Sequence, residues 1–144
     1  MVAPYQHVAV CMDRSDASER ALEQARELCS LGDAKLTIVH VAPSPLLLVG
    51  DYAAAMPDPA DLSSAAREWL QEVVARTPGA EGVLLEGYPP QAVCAWAEGA
   101  HPDVLVAAAH RGLVDRVLLG SFAGYLAHHA PCPVLLVRPP AAEG

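Results

Sequence analysis

Five short, mostly apolar segments place the strongest constraint on what this chain can fold into. Each is four to six residues long and lacks the regular alternation of apolar and polar residues expected of a half-exposed strand. Strands of this kind are covered on both faces, as in a parallel sheet flanked by helices. The segments are His7–Met12, Leu36–Val41, Val83–Glu86, Val104–Ala109 and Val134–Val137.

Amphipathic stretches separate these segments. The clearest is Leu62–Val74, where apolar residues recur at helical spacing and Trp69 falls among them, which predicts a core position for this ring. The first helix follows Asp13 and is expected to end at Gly32. Its cap is either an Asp16–Glu19 capping box or a Ser15–Ser18 pair. Two further helices are predicted, one opened by Pro89 or Pro90 and one over Phe122–Ala130.

The resulting order is strand–helix four times and then a fifth strand. It predicts one α/β domain over residues 1–144, with a doubly wound five-stranded parallel sheet and helices on both faces. Because crossover connections are right-handed, the expected strand order is 3-2-1-4-5. Residues 42–60, rich in Pro and Gly, are expected to form either a flap on the core or a cover over a ligand cleft.

Composition excludes several classes of partner. The formal net charge of −8 argues against nucleic acid and anionic membrane surfaces. No apolar run approaches the roughly 20 residues that span a bilayer, and no secretory signal is evident. The four cysteines form no C-x-x-C pair, so free thiols in a reducing cytoplasm are expected. No metal site is predicted, because Pro131 and Pro133 interrupt the helix beside His128, His129 and Cys132.

Polar residues collect where strands 1 and 4 are expected to diverge, the point at which such sheets bind ligands. Asp13–Ser15 follow strand 1, and the turn Ala109–Gly112, with His110 and Arg111, follows strand 4. Gly120 and Ser121 open the last helix, whose N-terminal N–H groups suit a phosphate. The chain has no G-x-G-x-x-G, G-x-x-x-x-G-K-[ST] or G-x-S-x-G motif. The pattern therefore favours an anionic ligand outside the usual dinucleotide, P-loop and hydrolase sites.

Four segments resemble the universal stress protein family, UspA type. They are HVAVCMDRSDAS (7–18), KLTIVHV (35–41), PDVLVAAAHRG (102–112) and LLGSFAGYLAHHAPCPVLLVR (118–138). The resemblance implies a doubly wound fold of the adenine nucleotide alpha hydrolase type. It also implies a cytoplasmic, homodimeric stress-response protein that is not an enzyme.

Many members of that family bind ATP through a glycine motif followed by Ser or Thr, and this chain departs from it twice. Gly112, Gly120 and Ser121 match, but Ala109 replaces the first glycine, and seven residues, 113–119, stand where the motif has nine. The resemblance implies that Asp13 and Val41 together match the positions that hold the base and ribose end of the nucleotide. Phe122, next to Ser121, completes the candidate set. A smaller nucleotide such as AMP would need less of the phosphate cradle, and Mg²⁺ is expected only with ATP.

Two other readings remain open at this point. One is a slow ATPase or adenylate-forming enzyme using Asp13, His110 or Asp115, and the other is an interaction module that needs no nucleotide. A separate physical reason also favours dimerisation, because Val134–Val137 would be an apolar strand at an edge of the sheet. Pairing with the same strand of a twofold mate would cover it.

Overall fold

The computed structural model describes residues 5–42, 59–111, 117–118 and 120–138. As far as the fourth strand, strands and helices alternate along the chain as the apolar pattern predicts, and two short strands then precede the last helix. Their bounds are β1 (His7–Cys11), α1 (Asp16–Ser30), β2 (Lys35–Ala42), α2 (Pro59–Ala75), β3 (Ala80–Glu86), α3 (Pro89–Ala100), β4 (Val104–Ala108), β5 (His110–Arg111), β6 (Val117–Leu118), α4 (Gly120–His129) and β7 (Val134–Val137).

The main sheet has five parallel strands in the order β3-β2-β1-β4-β7. Since β7 is its fifth strand in sequence, this is the predicted order 3-2-1-4-5, which is confirmed. β1 lies at the centre, in register with β2 from His7↔Lys35 and with β4 from Val8↔Val104. β7 forms one edge and pairs with β4.

The core has two halves, one on each face of the sheet. Alternate residues of β1 point to opposite faces, Val8 and Val10 into one half and Ala9 and Cys11 into the other. Helices α1 and α2 cover the first half, and α3 and α4 cover the second. Burial on both faces explains why the central strands show no polar alternation.

The structure defines both ends of α1. Ser15 caps α1, its hydroxyl accepting a hydrogen bond from the Ser18 N–H at 3.2 Å, so the Ser15–Ser18 alternative is confirmed. The predicted Gly32 cap is wrong. Leu31 is the C-cap, and the left-handed residue that follows is Asp33, with φ of 56°.

The segment after β4 also differs. His110 and Arg111 form the short strand β5, which pairs antiparallel with β6, where a turn was expected. A two-residue strand has too few positions to show any periodicity. Of the predicted connection 42–60, Ala42 belongs to β2 and residues 59–60 to α2, and the rest lies outside the described residues. Within the described parts of the chain, no helix combines the length and apolar character needed to span a bilayer.

Candidate functional site

A cavity of about 300 Å³ opens at the carboxyl end of the sheet. It lies where β1 and β4 part toward opposite sides, the switch point expected from the strand order. Its walls come from the ends of β1, β2 and β4 and from the first turns of α1, α3 and α4. The lining residues are Cys11, Met12, Asp13, Ser18, Val39, His40, Val41, Tyr88, Pro89, Pro90, Val93, Ala108, Ser121 and Phe122.

Four of the predicted site residues therefore share one cavity: Asp13, Val41, Ser121 and Phe122. They come from three parts of the chain, and the strand order brings them together. Gly120 begins α4 just before Ser121.

Asp13 is held in a tight turn that leads into α1. Its Oδ1 accepts hydrogen bonds from the Ser15 N–H, at 2.8 Å, and from the Ser15 hydroxyl. The same Ser15 hydroxyl caps the helix. The carboxylate is thereby fixed in orientation at the tip of β1, where hydroxyl groups of a ligand could donate to its oxygens.

The N-terminus of α4 forms the opposite end of the cavity. Gly120 has φ of +70°, a conformation that glycine adopts without steric cost, and an added Cβ would meet no atom within 4 Å. Ser121 is exposed and lines the cavity. The first N–H groups of a helix lack intrahelical partners and carry partial positive charge, so this end of the cavity favours an anion.

Ala109 has a role that the sequence motif does not show. It is 2% exposed, and its N–H donates to the Val137 carbonyl at 2.9 Å, which extends the β4–β7 pairing by one bond. The N–H of this residue is therefore engaged within the sheet. Only the backbone of His110 and Arg111 is described, and Gly112 lies outside the described residues.

Sequence reasoning missed His40, which lines the cavity and is 8% exposed. Its Nδ1–H donates to the Met12 carbonyl at 2.8 Å, since a carbonyl oxygen only accepts. The imidazole packs on Trp69 with ring centroids 4.6 Å apart, and the Arg14 guanidinium lies 5.9 Å from the Trp69 ring centre. These contacts hold both ends of the Met12–Arg14 segment. A histidine inside an apolar strand was the available signal.

The cysteines are free thiols, as predicted. Burial, and then the neighbouring Cys94 and Cys132, raise the pKa of Cys11 to about 12. Cys11 lines the cavity, but at neutral pH its thiol is protonated and therefore a poor nucleophile. Across the described ranges no three His, Cys, Asp or Glu side chains come together as a metal-binding group.

Comparison with known proteins identifies the family. The model of the universal stress protein family matches residues 4–138. The chain belongs to the universal stress protein family. Universal stress protein A homolog 1 of Coxiella burnetii is 30% identical over 140 residues, covering 92% of this chain and 96% of the relative.

Solved structures of universal stress proteins share the fold. One from Archaeoglobus fulgidus is 26% identical with a TM-score of 0.68, covering 92% of this chain and 98% of that one. A second, solved in complex with cAMP, is 25% identical with a TM-score of 0.70, covering 93% and 97%. The resemblance inferred from the sequence segments is thus confirmed.

Proposed function

We propose that this universal stress protein binds an adenine mononucleotide in the cavity at the carboxyl end of its sheet. The observation that carries the proposal is the composition of that cavity, which joins a fixed carboxylate, an apolar wall and a helix N-terminus at the switch point. The cAMP complex of a relative with 25% identity supports the same ligand class.

The strand order gives the ligand a direction. Ser121 and the N-terminus of α4 lie on the β4 side, and they would hold the phosphate. Asp13 follows the central strand, and its carboxylate would accept hydrogen bonds from the ribose hydroxyls. Val41 lies on the β2 side, where the apolar wall would cover the base. Base, ribose and phosphate would thus follow one another across the sheet.

Two features favour a mononucleotide over ATP. A cavity of about 300 Å³ is at the lower end of the range for small-molecule sites. The N–H of Ala109, at the first glycine position of the ATP motif, is already bonded to Val137. That N–H is therefore not available to the phosphates of ATP.

Calorimetric titration with AMP, cAMP and ATP, with and without Mg²⁺, tests the proposal. We expect saturable binding of AMP and weaker binding of ATP. Ser121→Ala removes one hydrogen bond to a charged group and should weaken AMP binding about tenfold. Ser30→Ala is the matched control, because Ser30 is exposed at the far end of α1 and bonds only the Glu27 carbonyl in the described structure. No saturation at millimolar nucleotide would leave a nucleotide-independent interaction module.

We propose further that the protein binds nucleotide without turning it over. Cys11, the thiol in the cavity, is held protonated by burial. Phosphate release from ATP in the presence of Mg²⁺ should not exceed that of an Asp13→Ala variant. A clearly faster rate in the unmodified protein would favour the ATPase alternative.

The protein is also proposed to act as a cytoplasmic homodimer joined through β7. The four free thiols are in keeping with a reducing compartment. The backbone groups of successive strand residues point to opposite sides. The carbonyls of Pro133 and Val137 accept hydrogen bonds from β4, so the N–H of Leu136, the residue before Val137, points away from the sheet. An apolar edge strand with outward N–H groups is a surface that needs covering.

Leu136→Pro would remove the outward N–H of β7 while leaving the bonds to β4. We expect it to convert the dimer to a monomer in sedimentation velocity experiments. Leu136→Ala is the control, since it shortens the same side chain and keeps the N–H. An unmodified protein that sediments as a monomer at micromolar concentration would contradict the dimer.

A further inference from the structure

Tyr88 occupies a position that helix stability does not explain. It is the N-cap of α3, where Ser, Thr, Asp and Asn are preferred because their side chains accept a backbone hydrogen bond. The Tyr88 side chain makes no such bond. Helix capping therefore does not explain the choice of Tyr at this position.

The side chain is also unusually exposed. Tyr88 is 46% exposed and, of the large apolar side chains that the structure describes, only Leu31 is also strongly exposed. Leu31 lies at the far end of α1, whereas Tyr88 lines the cavity. Tyr88 precedes the prolines at the first two positions of α3, and a residue before proline is restricted to extended backbone, here φ of −75° and ψ of 121°. The backbone that carries this cavity-lining residue is therefore restricted in conformation.

The strand order places this ring at one end of the proposed ligand. Tyr88 follows β3, and three strand spacings of about 4.8 Å separate β3 from β4. Ser121 and the helix N-terminus that suits phosphate lie on the β4 side. Tyr88 is thus at the end opposite the phosphate, where the base of a mononucleotide would lie.

We propose that Tyr88 is the stacking platform for the base of the bound nucleotide. This inference rests on the proposed nucleotide site. An aromatic ring offset-stacked on a purine gains from its π-face and its apolar area, and any base offers such a face. Tyr88 therefore contributes affinity for planar bases generally, and other groups must select adenine.

Substitutions at Tyr88 separate this role from a structural one. Tyr88→Ala should weaken AMP binding about five- to tenfold, and Tyr88→Phe should leave it unchanged because the ring remains. Tyr88→Ser restores an N-cap side chain, so it should raise Tm by roughly 3 °C while weakening AMP binding as Ala does. Leu31→Ala, which removes an exposed apolar side chain far from the cavity, should change neither quantity.

A spectroscopic signature completes the test. In NMR spectra of bound AMP, ring-current shifts of the base protons should be present with the unmodified protein and with Tyr88→Phe, and should be reduced with Tyr88→Ala. AMP and GMP should lose affinity by the same factor in Tyr88→Ala. If the unmodified protein binds no nucleotide, the proposed function fails, and this inference fails with it. If AMP binds and Tyr88→Ala binds it equally well, only the stacking role is overturned.

Discussion

Gly82 is the residue on β3 at which a single added methyl group should be felt most. A Cβ at this position would lie 2.9 Å from Val74 Cγ2 and 3.2 and 3.3 Å from Cγ and Cδ2 of Leu70. Attractive contact between carbon atoms needs about 3.5–4.0 Å. Val74 is β-branched and lies in a helix, where one χ1 rotamer is strongly preferred, so it cannot turn aside without cost. Gly82→Ala must therefore push α2 away from the sheet.

The expected magnitude follows from two opposing effects. Overpacking a core costs about 1–3 kcal/mol, and the lower half applies because β3 is an edge strand and α2 can move outward. Replacing glycine reduces the entropy of the unfolded chain and returns about 0.5 kcal/mol. We expect a net loss of about 0.5–1.5 kcal/mol in the free energy of unfolding, measured by urea denaturation followed by circular dichroism.

Gly99→Ala is the matched control. Gly99 is exposed on α3, and an added Cβ there meets nothing within 4 Å, so this change should stabilise the protein by about 0.5–1 kcal/mol. Val74→Ala combined with Gly82→Ala should recover about 1 kcal/mol relative to the sum of the single changes. Equal effects of the two glycine substitutions, or additivity in the double variant, would refute the close-packing argument.

Two further predictions concern groups that hold the ends of the central strand. The N–H groups of Gln6 and His7 donate to the Asp103 carboxylate, each at 2.8 Å, and lower its pKa. A lowered pKa in the folded state means that this stabilisation is present above the ordinary pKa and is lost as the pH falls through the lowered value. Asp103→Asn should therefore flatten the acid side of the stability profile, measured by urea denaturation across the acid range. His40→Phe leaves the Met12 carbonyl without its donor and should cost about 1–3 kcal/mol in the same assay at neutral pH, and an unchanged stability would contradict that role.

The strand order could be predicted from the sequence because burial on both faces removes polar alternation. His7–Cys11 and Val104–Ala108 are buried almost throughout and were recognised within one residue of their ends. β3 was predicted three residues too short, since Ala80, Glu81 and Gly82 lie at the exposed end of an edge strand. Glu81 is charged, and Gly82 leaves room for Leu70 and Val74 of α2, so these positions show no apolar run, and only pairing with β2 extends the strand over them.

The residues of the candidate site were likewise only partly predictable from the sequence. Asp13 and Ser121 were identified because one follows a buried strand and the other opens a helix at the switch point that the strand order predicts. His40 and Tyr88 were not identified, since one lies inside an apolar strand and the other precedes two prolines at the start of a helix. Their importance depends on contacts with the Met12 carbonyl and with the cavity, which join residues far apart in the chain. Apart from the single histidine within the apolar strand β2, local patterns contain no signal for contacts of that kind.

Helix α2 connects the packing at β3 with the geometry of the cavity. Leu70 and Val74 pack over Gly82, and Trp69, the neighbour of Leu70, supports the ring of His40. His40 in turn holds the Met12 carbonyl, one residue before Asp13. A shift of α2 away from β3 would move Trp69 and loosen the turn that orients the Asp13 carboxylate. Gly82→Ala should therefore weaken AMP binding as well as stability, whereas Gly99→Ala should leave binding unchanged, because α3 approaches the cavity with its opposite end.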